Sequence, residues 1–215
     1  MRLFRYSGNK QRYLRHYRRP PEGTKRVVEP YLGSGAYMLS TDLPGLGYET
    51  NGDIVAMWKW LQGTTPAELQ DLRASVEALK ADPTTPAKPD VRLMLGLNVG
   101  QQTYVRINTA SVMVGQLSSW KIYPQNSLPV EQTIQCLPRL KDIEVVHGSA
   151  SSYVHTEGDL LFVDPPYVGT TGGYVEKARA NHERKYVPGD TVKLISETSN
   201  PVIFTYGDGA SDLFP

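Results

Sequence analysis

The sequence predicts an α/β fold built on a parallel sheet, and three stretches predict it. The first is the apolar run Leu160-Leu161-Phe162-Val163, which ends in Asp164-Pro165-Pro166-Tyr167. A run this short between polar flanks reads as a buried strand. The two prolines stop the hydrogen-bond ladder and fix φ, so Asp164 and Tyr167 sit on a stiff loop. That loop leaves the carboxyl end of the strand, where open α/β sheets bind ligands. An ordinary turn also favours Asp and Pro, so the upstream stretches must decide. The second stretch is Arg26-Val27-Val28-Glu29, a strand that runs into Pro30-Tyr31-Leu32-Gly33-Ser34-Gly35 and then Ala36-Tyr37-Met38-Leu39, read as a helix. Strand, glycine turn and helix start let a backbone approach phosphates or a nucleotide closely. The third is Tyr48-Glu49, the end of a second strand after a turn at Pro44-Gly45-Leu46-Gly47. An acid roughly twenty residues past the glycine turn is where such a site binds ribose hydroxyls. A solvated strand end would read the same way.

The remaining elements follow from period and punctuation. Ser7-Gly8-Asn9 is a turn, and Tyr13, Leu14 and Tyr17 give a short helix one apolar face. Lys10 falls near that helix's start, where the dipole disfavours a cation, so pairing with an anionic ligand is expected. Asn51 and Asp53 are candidate caps for a helix carrying Ile54, Val55, Trp58 and Leu61. Thr65-Pro66-Ala67-Glu68 combines a cap, a first-turn proline and a glutamate three residues on, the signature of a second helix. Its apolar stripe is Leu69, Leu72, Val76 and Leu79. The proline- and threonine-rich stretch 83–89 marks a boundary. Residues 90–128 lack a clean period but mix Tyr104, Arg106, Asn108, Thr109, Trp120, Lys121 and Tyr123 with Gly, Ser and Gln. Such a mixture suits nucleic-acid reading, and an ordinary polar insertion has the same look. A helix near 129–140, a strand 143–147, the strand ending at Asp164, a helix near 190–199 and a strand 201–205 complete the order. The division is therefore 1–62 with 129–215 as one domain, and 63–128 as an inserted helical region.

Bulk properties narrow the class. With 215 residues the chain is long enough for one domain with a real core, and 40% apolar and 21% charged residues suit a globular protein. No stretch has the length to span a bilayer, and MRLFRYSGNK lacks the apolar core of a signal peptide. The single cysteine, Cys136, excludes an internal disulfide and reads as a buried apolar residue. His16, His147, His155 and His182 lack metal-ligand spacing, so no metal site is expected. A reducing, cytoplasmic setting fits. The net charge of +1 hides an asymmetry: nine Arg and Lys residues precede Val27, against the single acid Glu22. That cluster is a candidate phosphate-facing patch.

Taken together, these motifs resemble the DNA adenine-N6 methyltransferases of the DNA adenine methylase type, the alpha-ordered class. Arg5-Tyr6-Ser7-Gly8-Asn9-Lys10 is similar to that family's N-terminal cofactor motif, and Glu29 to Gly35 to its glycine motif. Tyr48-Glu49-Thr50-Asn51 is similar to its acidic ribose motif, with Glu where Asp is usual, and Asp164 to Tyr167 to its catalytic motif. Pro201-Val202-Ile203-Phe204-Thr205 resembles the strand that follows. The likeness covers nearly the whole chain except 63–128.

The resemblance implies a Rossmann-like S-adenosyl-methionine-dependent methyltransferase sheet with a small inserted target-recognition region. It implies S-adenosyl-methionine as methyl donor, contacted by Tyr6, Lys10, Glu29, Glu49 and Asp164, with Gly33 and Gly35 lining its site. It implies double-stranded DNA as substrate, in the cytoplasm of a bacterial or phage-infected cell, with no membrane partner; whether a restriction nuclease accompanies the chain is left open. Asp164 and the Pro165 carbonyl would polarise the adenine amino group, and Tyr167 would stack on a base flipped out of the duplex. Arg5 would read a guanine, with Arg106, Asn108, Trp120 and Lys121 as further DNA contacts. The chain departs from the family's arginine-containing pattern around Gly115-Gln116-Leu117-Ser118, so a GATC target is not implied. It also stops at Leu213-Phe214-Pro215, so a complete seven-stranded sheet is not expected. Two other readings stand beside the leading one: a non-catalytic DNA- or cofactor-binding protein, and a methyltransferase for cytosine N4, RNA or protein glutamine.

Overall fold

The computed structural model describes residue 3 and residues 10–81, 130–166 and 188–206. Five strands form one sheet: β1 (Arg26–Glu29), β2 (Gly45–Glu49), β3 (Ile143–His147), β4 (Asp159–Val163) and β5 (Val202–Phe204). All pair in parallel, in the order β3-β2-β1-β4-β5. The architecture is thus α/β with a five-stranded parallel sheet, compatible with a Rossmann-like fold. Among the described residues four α-helices accompany it: α1 (Gly52–Gly63), α2 (Pro66–Ala81), α3 (Val130–Leu140) and α4 (Pro188–Ser196). Among the described residues no helix is long and apolar enough to cross a membrane.

β1 and β4 are the centre, and their composition explains why. Val27 and Val28 of β1, and every residue of β4, are buried, as expected of strands covered on both faces. Alternation sends neighbouring residues to opposite cores. Val27, Leu160 and Phe162 join Met57, Trp58, Leu61, Leu69, Cys136 and Leu140 on one face. Val28, Leu161 and Val163 join Tyr48, Tyr153 and Leu194 on the other. Cys136 is fully buried, and burial raises its thiol pKa, which makes it an inert core residue. The cap of α2 forms as its sequence predicts: Thr65 Oγ1 accepts from Glu68 N at 3.2 Å, and Glu68 Oε2 accepts from Thr65 N at 2.8 Å. Asn51 caps α1 by accepting from Ile54 N at 3.4 Å.

Three expectations are corrected. The stretch after the glycine turn is not an α-helix but a short 3-10 helix, Met38–Ser40. Ser40 and Thr41 hydroxyls donate back to the Tyr37 and Met38 carbonyls, at 2.6 and 3.0 Å, and so occupy groups a continuing helix would need. The second correction concerns Gly45 and Gly47, which lie inside β2 rather than in a turn. A Cβ on Gly45 would sit 2.2 Å from Met38 Sδ, and one on Gly47 2.5 Å from Leu32 Cδ1. These glycines admit the side chains of the loop that crosses them. Third, Tyr13 does not share an apolar face with Leu14 and Tyr17. Residues Lys10–His16 form a 3-10 helix, and Tyr13 is 56% exposed while Leu14 and Tyr17 pack on the core.

At the amino ends of β1 and β4, Asp159 is buried and accepts from Arg26 Nε at 2.9 Å, Arg26 Nη2 at 2.7 Å and Tyr153 Oη at 2.7 Å. The paired guanidinium contact fixes the register of the two central strands. Asp159→Ala leaves a part-buried cation and a buried hydroxyl without their acceptor. The expected cost is about 3 kcal/mol, read as a lower urea midpoint at unchanged m-value.

Candidate functional site

In the order β3-β2-β1-β4-β5 the chain turns from building one half of the sheet to the other between β1 and β4. In open α/β sheets such a switch point, at the carboxyl ends of the two strands, is where ligands bind. β1 delivers Glu29 and the glycine turn to this edge, β4 delivers Asp164, β2 delivers Glu49, and β5 delivers Thr205. The two glycines of the turn have positive φ, 46° at Gly33 and 60° at Gly35, a conformation that side chains resist. Trp58 of α1 fixes the turn from below. Its indole Nε1 donates to the Gly33 carbonyl at 2.9 Å, and a Cβ on Gly35 would lie 2.7 Å from its ring.

Asp164 is bonded on both of its carboxylate oxygens. Lys10 Nζ lies 2.7 Å from Oδ2, with side chains only 9% and 19% exposed for Lys10 and Asp164. The Thr205 hydroxyl donates to Oδ1. Thr205 itself is buried, and its N–H donates to the Val163 carbonyl at 2.9 Å, which continues the β4–β5 ladder beyond β5. The carboxylate is therefore gripped on each oxygen from a different part of the chain. Pro165 is buried next to it. Sequence reasoning expected Lys10 to meet an anionic ligand; in the folded chain it meets Asp164.

Glu29 has a different environment. It is 3% exposed, and Oε1 accepts from Met38 N at 2.6 Å. Burial pushes its pKa up to about 8. The Met38 amide opposes that rise, the nearby Asp164 charge adds to it, and Lys10 opposes it again. The glutamate of the glycine motif is consequently a largely neutral acid near pH 7, bracing the loop rather than carrying charge. Glu49, by contrast, is half-buried and open to the edge. Its Oε2 accepts from Gly33 N at 3.1 Å and its Oε1 from Asn51 N at 2.9 Å. A carboxylate so held presents oxygen acceptors beside the glycine turn, the geometry suited to a diol.

The end of β3 joins the same edge. His147 is exposed and its Nε2 lies 3.1 Å from the Thr50 carbonyl, while Gly148 N donates to the Glu49 carbonyl at 3.0 Å. The Tyr31 and Thr191 hydroxyls bond at 2.6 Å and tie the loop after β1 to α4. Among the described residues no cluster of three or more His, Cys, Asp and Glu could hold a metal ion.

The fold thus brings together Lys10, Glu29, Gly33, Gly35, Glu49, Asp164 and Pro165 of the residues singled out from sequence. Arg5, Tyr6, Arg106, Asn108, Trp120, Lys121 and Tyr167 lie outside the described residues. Sequence reasoning missed Thr205, Trp58 and His147 as members of the edge. Thr205 had a usable signal, a lone hydroxyl ending an apolar strand; Trp58 had none, since an indole at a core position reads as packing. No protein-family model matches the chain, and no curated protein matches it.

Proposed function

We propose that the chain transfers a methyl group from S-adenosyl-methionine to the N6 amino group of adenine in double-stranded DNA. The observation that carries this reading is the Asp164 carboxylate, held by Lys10 and Thr205 at the switch between β1 and β4. A carboxylate fixed at that edge, followed by two prolines, suits an amino group that must be oriented and disfavours a phosphate by like charge.

The residues present fit the cofactor. Glu49 is a part-exposed acceptor for ribose hydroxyls next to a glycine turn whose backbone is already left-handed. Lys10, paired with Asp164, brings a cation to the edge where the carboxylate of an amino acid would bind. When bound, the sulfonium supplies an already activated methyl group. The chain's own work is orientation. An adenine amino group is a weak nucleophile because its lone pair is delocalised into the ring. Asp164 and the Pro165 carbonyl accept its two N–H bonds and draw the nitrogen towards a tetrahedral shape. Lys10 and Thr205 keep the carboxylate from rotating, so alignment is set before the base arrives. The base must leave the duplex to reach this edge.

Incubation of the chain with methyl-labelled cofactor and adenine-containing DNA duplexes, followed by nucleoside analysis, is expected to give N6-methyl-2′-deoxyadenosine. Label on cytosine N4, on RNA or on protein glutamine would replace the substrate. Cofactor binding without transfer to any of these would replace the enzyme by a binding protein.

A further inference from the structure

The mechanism above uses Lys10 but none of the cations that follow it. Arg12, Arg15, Arg18 and Arg19 are all exposed. Among the described residues none of the four joins an ion pair. Arg15 Nε donates to its neighbour His16 at 3.1 Å. The inner side of the same segment is fully engaged. Leu14 and Tyr17 pack on the core, and the Tyr17 ring meets Phe162 edge-on at 5.2 Å and Tyr37 at 6.3 Å. The Tyr37 hydroxyl donates to the Arg18 carbonyl at 2.7 Å. The segment is thus clamped to β4 at its far end and, through Lys10, to Asp164 at its near end.

We propose that Arg12, Arg15, Arg18 and Arg19, with the exposed ring of Tyr13, form a strip that holds the DNA backbone beside the base taken up at Asp164. The inference rests on the reading of the chain as a DNA-modifying enzyme. It deepens that reading by naming the phosphate contacts.

Three observations favour nucleic acid over the other polyanions. Geometry comes first. In a 3-10 helix residues i and i+3 eclipse, so Arg12 and Arg15 stand on one line, about 6 Å apart in rise, and Arg12 is about 4 Å of rise from Lys10. The strip therefore begins beside the site carboxylate. Chemistry comes next: all four cations are arginines, whose planar fork matches phosphate oxygens. Tyr13, 56% exposed on the adjacent line of the same helix, offers a face for a base or sugar. The third concerns lipid. A membrane-seeking segment needs an apolar face to insert, and here Leu14 and Tyr17 already serve the core.

The test is the salt dependence of binding to a duplex of defined sequence, measured by fluorescence anisotropy without cofactor. Each phosphate contact contributes about 0.9 to the slope of log K against log salt. The variant Arg12→Gln/Arg15→Gln/Arg19→Gln is expected to lose roughly two to three units of slope. The lysine counterpart, Arg12→Lys/Arg15→Lys/Arg19→Lys, is expected to recover most of it. A urea midpoint equal to that of the parent chain shows that each variant is folded. An unchanged slope in the folded glutamine variant overturns the strip. So does a variant that loses binding to phosphatidylserine vesicles while duplex binding stays the same. Because no cofactor is present, a chain that binds DNA but methylates nothing still tests the strip. Methylation with an unchanged slope sinks the strip alone.

Discussion

Asp164→Ala is expected to lower single-turnover methyl transfer to duplex adenine by about 10³-fold or more, the scale on which a positioned acceptor or polar stabiliser acts. Under the proposed function the effect should fall on kcat, since the carboxylate would orient the amino group while phosphate contacts would supply most of the DNA affinity. The substitution also removes one partner of a Lys10 ammonium that is 9% exposed. Some loss of stability is therefore expected, and a second variant separates it from chemistry. Asp164→Asn keeps the shape of the side chain and an oxygen to accept from Thr205, but not the charge. A folded, cofactor-binding Asp164→Asn chain that transfers no methyl group places the effect on the carboxylate. Transfer by folded Asp164→Ala at the parent rate would remove Asp164 from the mechanism.

Glu29→Gln is expected to change the pH dependence of folding. Glu29 is neutral in the folded chain up to about pH 8, whereas in the unfolded chain it ionises near its ordinary 4.5. Folding above pH 4.5 therefore takes up a proton at this residue. The Glu29 contribution is fully present below pH 4.5 and is lost as pH rises through about 8. Between those values the parent chain loses up to about 1.4 kcal/mol per pH unit from this group. Glutamine imitates the neutral acid, and its carbonyl can still accept from Met38 N. Urea titrations at pH 5 and pH 8 should show the parent weakening relative to the variant by a few kcal/mol. Parallel behaviour of the two chains would mean that Glu29 is ionised in the fold.

These two acids, one at the end of each central strand, show how far a sequence can be read. Both strands were legible because each is a compact apolar run ending in a carboxylate before proline. Glu49 was legible from its distance to the glycine turn, and the α2 cap from a four-residue pattern. The division of labour between the acids was not. Glu29 and Asp164 look alike in sequence, and only the fold shows one buried against the Met38 amide and the other gripped by Lys10 and Thr205. The same limit explains Gly45 and Gly47. Two glycines after a proline read as a turn, and the reason they lie in a strand is the crossing of Met38 and Leu32 above them. Tyr13 was assigned inward because an α-helical period joins it to Tyr17, whereas the tighter 3-10 winding turns it outward.

The grip on Asp164 also bears on how the protein comes into being. One of its partners lies near the beginning of the chain and the other 41 residues beyond it. The central strand pair is similarly remote, with Arg26 and Asp159 separated by 133 positions. Contacts this distant have a high entropic cost of loop closure and place the chain among slow-folding, high-contact-order topologies. During synthesis Lys10 emerges well before Asp164, and the carboxylate acquires its Thr205 contact only once β5 has docked. The grip on this carboxylate is then a late event, acquired at the close of folding rather than along the way.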